Sequence, residues 1–155
     1  MKWFTGNGQQ IDKEEVLKSV YEHSKKKGKV YIGSDSFLWK KYCIMSSVIC
    51  LHGENGENNG GKYYFTRSNY QRTQFPNLSI RIMQEVSESI TLALEITQMV
   101  PDAKVEVHLD INSDKKAATN KLVDNLTGYV KATGLDYKIK PDAWAASSIA
   151  DKHSK

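Results

Sequence analysis

Lys104-Val105-Glu106-Val107-His108-Leu109-Asp110-Ile111 alternates without a break. Val105, Val107, Leu109 and Ile111 turn one way and Glu106, His108 and Asp110 the other, which is the period of a strand. Helical patterns lie on both sides of it. Upstream, residues 79–99 keep a helical period that Pro101 closes. Downstream, residues 115–132 carry Leu122, Leu126, Tyr129 and Val130 on one face, with Gly134 as the end. Residues 135–140 read as a last strand stopped by Pro141, and residues 143–155 as a terminal helix. Strand, helix, strand and helix in that order predict right-handed parallel crossovers.

The first half has a different rhythm. Asp12 is a good N-cap, with Glu15 placed for a capping box and Ile11 and Val16 for a hydrophobic staple. Val16, Leu17, Val20 and Tyr21 form that helix's apolar stripe, and three lysines and Gly28 end it. Residues 30–34 predict a short buried strand with Asp35 at its exit. Residues 39–52 are β-rich and join that strand through a turn near Lys40-Lys41. An asparagine- and glycine-rich loop, residues 53–61, leads to a third strand over residues 62–68. Three strands in series read as an antiparallel meander. The expected architecture is one α/β domain, residues 1–155, with a five-stranded mixed sheet and helices on both faces.

Composition bounds the function. The 155 residues carry 22 Lys+Arg against 18 Asp+Glu, a net charge of +4, with 39% apolar and 26% charged residues. That is the ordinary globular range, and the length supports a real core without disulfides. The longest apolar stretch, Cys43 to Leu51, is broken by Ser46 and Ser47, far short of a membrane span. The N-terminus lacks a signal-peptide apolar region. Cys43 and Cys50 point to opposite faces of one strand and cannot pair, which predicts free buried thiols in a reducing cytoplasm. No Cys/His cluster has zinc-ligand spacing. Charge is segregated: residues 25–41 hold six lysines against Asp35, and residues 81–114 hold seven acids against two bases. Basic flanks around an acidic centre suit a phosphate substrate over metal-binding carboxylates, and solvated faces give the same counts.

Ligands of such sheets bind outside the carboxyl ends of parallel strands. Asp35 and Asp110 leave two strands there, and neighbouring strands would bring their carboxylates together. Two close carboxylates need a proton or a cation between them, and Mg²⁺ suits oxygen ligands. Asp35 and Asp110 each also stand in good turn chemistry, in Ser34-Asp35-Ser36 and before Ile111-Asn112. On the long helix Glu85 leans toward the core with Ser89, Leu92 and Ile96, whereas Glu88 lies on a polar stripe with Gln84, Thr91, Glu95 and Gln98. Asp151 is a fourth acid. His108 shares a face with Asp110 and reads as either a second-layer group or a structural histidine; His23 and His52 read as surface residues. Trp39, Lys40, Lys41 and Tyr42, and likewise Arg67, Tyr70 and Arg72, interleave aromatic and basic side chains, as a nucleic-acid surface or a solvated hairpin would. Trp144 reads as packing.

Ile32-Gly33-Ser34-Asp35-Ser36, residues 105–111, and Lys138-Ile139-Lys140-Pro141-Asp142 followed by Ala146-Ser147 and a lysine-rich tail resemble the ribonuclease H-like superfamily, most closely the bacterial YkuK-type family. The resemblance covers about residues 12–155, with the N-terminal helix as an addition to the core. It implies a two-metal nuclease using Mg²⁺ or Mn²⁺ held by Asp35, Glu85, Asp110 and Asp151, with Glu88 as the alternative to Glu85. It implies Asp142 as an outer acid and Lys152 or His153 as a phosphate or product-release group. Nucleic-acid contacts would fall on Lys40, Lys41, Arg67, Arg72, Lys140 and Lys152. The partner would be RNA, an RNA–DNA hybrid or structured DNA. A nucleic-acid-binding module with little catalysis is the other reading, because fold does not fix function.

Overall fold

The computed structural model describes residues 1–57, 61–111 and 120–155. The expected helix start at residue 115, the turn after Ile111 and the centre of the asparagine-rich loop lie outside these residues. The described strands are β1 (Trp3–Thr5), β2 (Gln10–Ile11), β3 (Lys29–Trp39), β4 (Tyr42–His52), β5 (Lys62–Gln71), β6 (Lys104–His108) and β7 (Asp136–Lys138). The helices are α1 (Lys13–Lys25), α2 (Leu78–Met99), α3 (Asn120–Ala132) and α4 (Asp151–Ser154), the last continuing a π-helical stretch, Ala145–Ala150.

One sheet runs in the order β2-β1-β5-β4-β3-β6-β7. It has seven strands where five were expected. The two extra ones are the N-terminal hairpin, too short to show a period, which pairs antiparallel along β5 and covers what would be an open edge. The meander is as expected: β3–β4 and β4–β5 are antiparallel. So are the crossovers, since β6 pairs parallel with β3 and with β7. A correction concerns Asp35. It stands inside β3, which continues to Trp39 because β4 pairs with it throughout. Its parallel partner ends earlier, at Gly33↔His108, so Asp35 still opens beyond the parallel pair.

Each face of the sheet has its own cover. Val30, Ile32, Ile49, Leu51, Val105, Val107 and Leu109 share one core with Val16 and Val20 of α1, the buried stripe of α2, and Val123, Leu126 and Val130 of α3. The opposite face packs Val48, Cys50 and Phe65 against Ala145 and Ala150 of the C-terminal segment. Cys43 and Cys50 are free, buried and in different clusters, as their offset requires. Burial pushes the Cys50 thiol up to about 12. Among the described residues no helix is long and apolar enough to cross a membrane.

Local endings differ in two places. The Asp12 side chain makes no capping bond on α1, so the capping box does not form, whereas Asn77 caps α2 by accepting from the Ile80 N–H at 3.0 Å. After α1 the left-handed residue is Lys27, at φ 61°. Gly28 serves clearance instead: a Cβ there would lie 2.2 Å from the His23 ring. His23 itself is buried, against expectation, with Nε2 2.7 Å from the Lys29 carbonyl and Nδ1 2.9 Å from Glu54.

The closest backbone packing is at Gly33. A Cβ there would sit 2.5 Å from the Ala146 nitrogen and 2.8 Å from the Ala145 carbonyl carbon. Backbone cannot yield as a flexible side chain can. Gly33→Ala should therefore lose about 1–3 kcal/mol in urea denaturation. Gly128→Ala, in α3 with open space around the added carbon, should gain roughly 0.5–1 kcal/mol. An unchanged midpoint for Gly33→Ala would mean that the C-terminal segment is not held against β3.

Candidate active site

The close approach at Gly33 brings the C-terminal helix onto the sheet beside Asp35. Four elements contribute acids there: β3 gives Asp35, α2 gives Glu85, the chain leaving β6 gives Asp110, and α4 gives Asp151. Asp35 and Glu85 are buried. Burial first, then the charge of Glu85 and the nearness of the Asp110 and Asp151 carboxyls, push Asp35 from 3.8 up to about 8. Burial also dominates at Glu85, where Asp110 adds to it and the Ser36 hydroxyl and Arg81 charge oppose it. The result is about 7, against an ordinary 4.5.

Serines and lysines hold this array. The Ser36 hydroxyl donates to Glu85 Oε1 at 2.5 Å, and the buried Ser154 hydroxyl donates to Asp35 Oδ2 at 3.1 Å. Lys140 Nζ pairs with Asp110 Oδ1 at 3.0 Å, and this buried oxygen accepts no hydrogen bond. Lys155 Nζ lies 3.0 Å from Asp151 Oδ1. Among the described residues no three acidic, histidine or cysteine side chains are gathered tightly enough to hold a metal as they stand. The donor set nevertheless fits a hard divalent cation: all four groups are carboxylates, and one buried oxygen lacks a hydrogen bond.

Glu85 and Glu88 are separated by their surroundings. Glu88 takes hydrogen bonds from Tyr70 at 2.7 Å, Gln84 at 3.2 Å and Ser47 at 3.4 Å, away from the Asp35 array. Other expected groups stand elsewhere. His108 is buried and uses both nitrogens: Nδ1 accepts the Ala145 N–H at 3.1 Å, so Nε2–H donates to Glu106 at 2.8 Å. Burial depresses its pKa, against the opposing pull of Glu106. Trp144 packs on Tyr31 and His108 with ring centroids 4.8 and 5.2 Å away. His153 stacks on Phe65 at 3.7 Å and bonds the Tyr63 hydroxyl at 2.9 Å. Asp142 lies in the exposed turn before the C-terminal segment, and Lys152 is exposed. Lys40 and Lys41 form the β3–β4 turn, and Arg72 Nη1 donates to the Lys40 carbonyl at 3.2 Å. Arg67 is exposed on β5, in the register row Asp35↔Ser46↔Arg67.

The sequence reading missed Ser36, Ser154, Lys155 and Arg81. Ser36 had a signal, since alternation puts it opposite Asp35 on the face that α2 covers. Arg81 and Lys155 had one as well, standing four residues from Glu85 and Asp151; Ser154 depends on where distant elements cross.

The chain matches the description "Ribonuclease H-like" across residues 13–155. It belongs to the ribonuclease H-like family. It is also 29% identical over 136 residues to "Uncharacterized protein YkuK" of Bacillus subtilis (strain 168), covering 80% of this chain and 77% of that one. No solved structure matches.

The array makes folding pH-dependent. Asp35 and Glu85 bind protons more tightly folded than unfolded. Between about pH 4 and pH 8 the folded state holds the extra protons, so stability falls as pH rises. In chelator, the urea midpoint should fall from pH 5 to pH 8. Asp35→Asn should flatten that fall and be at least as stable at pH 8. A destabilised Asp35→Asn at pH 8 would make Asp35 a structural cap and not one member of a repelling cluster.

Proposed function

We propose that this protein is a cytoplasmic nuclease that hydrolyses phosphodiester bonds with Mg²⁺ or Mn²⁺ held by Asp35, Glu85, Asp110 and Asp151. The observation that supports it is that the buried Asp35 has the carboxyls of Glu85, Asp110 and Asp151, from three other elements, within electrostatic reach. Membership of the ribonuclease H-like family supports the reaction class. Two bound ions would activate a water and stabilise the leaving 3′-oxygen.

The chain's own groups would prepare that event. Ser36 and Ser154 fix the rotamers of Glu85 and Asp35. Lys140 and Lys155 neutralise Asp110 and Asp151 and would turn outward toward substrate phosphate when a cation replaces them. Asp35 and Glu85 would give up protons on metal binding, so affinity would rise with pH. The lysine pairing also favours a second reading. With internal cations in place, the fold would serve as a nucleic-acid-binding module that cleaves little.

The test is a cleavage panel with Mg²⁺ and Mn²⁺ over single-stranded RNA, RNA–DNA hybrid, single- and double-stranded DNA and a branched junction. The Asp35→Asn/Asp110→Asn protein should lose about 10²-fold or more of the activity. Glu85→Gln should weaken Mn²⁺ binding in calorimetry where Glu88→Gln leaves it unchanged, and wild-type binding should be tighter at pH 8 than at pH 6. Turnover equal to that of the double mutant on every substrate would favour the binding module.

A further inference from the structure

We propose that the open sheet face beyond Asp35 seats a single-stranded polynucleotide with its bases unpaired. This rests on the nuclease reading only for where the strand leads. Alternation and register build the surface. Asp35, Ser46 and Arg67 form one row across β3, β4 and β5, and Phe37, Ile44 and Asn69 form the next. Trp39, Tyr42 and Gln71 form the third. Successive rows are about 6.6 Å apart along the strands, so all three share the face of Asp35.

The C-terminal helix covers the first row. Ser154 contacts Asp35 and His153 lies on Phe65. Beyond it Trp39 is 53% exposed, Phe37 and Tyr42 are half-buried, and Arg67, Asn69 and Gln71 are exposed. A cleft of about 530 Å³ opens there over Phe4, Ile44 and Phe65, with Arg67 and Asn69 lining it as well. That is apolar floor with polar edge, the form that accepts a flat heterocycle.

Charge gives the class of occupant. Residues 36–46 and 67–74 contain no Asp or Glu, yet carry Lys40, Lys41, Arg67 and Arg72. The ammonium groups of Lys40 and Lys41 stand 5.5 and 5.6 Å from the Trp39 and Tyr42 rings, so cation and aromatic face are presented together. A duplex keeps its bases stacked inside and offers phosphates and groove edges, which would leave these rings unused. Unstacked bases use them, while the cations meet the backbone.

The test is fluorescence anisotropy with the full chain in chelator at fixed salt. The probes are labelled oligonucleotides of about twelve residues: single-stranded RNA and DNA, the matching DNA duplex and the RNA–DNA hybrid. Single strands should bind at least about tenfold more tightly than either duplex. Trp39→Ala and Arg67→Gln should each weaken single-strand binding about tenfold, with Trp39→Phe retaining most of it. Thermal melts should be unchanged, as suits exposed side chains. Equal affinity for duplex, or unchanged binding by a folded Trp39→Ala protein, would overturn the proposal, and metal-dependent cleavage of duplex would then leave the nuclease reading standing. Trp39-dependent single-strand binding without any cleavage would sustain this proposal and remove the nuclease reading.

Discussion

Backbone-to-backbone contact at Gly33 is the constraint on which the site depends. A side chain there would collide with the Ala145–Ala146 peptide. With glycine, and with Ala145, Ala146 and Ala150 fully buried, the C-terminal segment lies directly on β3 and β4. His108 fixes the same segment by accepting the Ala145 N–H. Moving this helix outward would take Asp151 and Ser154 from Asp35 and uncover the acids.

The acids are costly where they stand. Burial and mutual repulsion raise Asp35 and Glu85 into the neutral range, so each competes with folding unless a proton, lysine or cation compensates. Two hydroxyls and two lysines partly offset that cost. Buried, like-charged clusters are characteristic of functional sites, where stability is given up for reactivity or binding. Here the cost is confined to one end of the β3–β6 pair, while hydrocarbon on the other face of the sheet carries α1, α2 and α3.

Much of the fold was legible because its signals are local. Alternation at residues 104–111 and the helical period at residues 79–99 each place a residue relative to near neighbours. Lys40-Lys41 reads as a turn for the same reason. The N-terminal hairpin escaped because strands of three and two residues show no period. Asp35 read as a strand exit because Ser-Asp-Ser is turn chemistry. Pairing with β4 overrode that preference and carried the strand on to Trp39.

The sequence by itself determined the α/β order, the antiparallel-then-parallel sheet and the alternation of residues 104–108. Only the tertiary structure decided what those acids meet. Ser154 reaches Asp35 across 119 positions of sequence, Ser36 reaches Glu85 across 49, and Lys140 faces Asp110 from beyond the next strand, whereas Lys155 and Asp151 stand at ordinary helical spacing. The same holds for the row that aligns Arg67 with Asp35. Periodicity sets which way a side chain points along its own element. Register and the crossing of distant elements set which charges share a site, and those follow from packing of the whole chain.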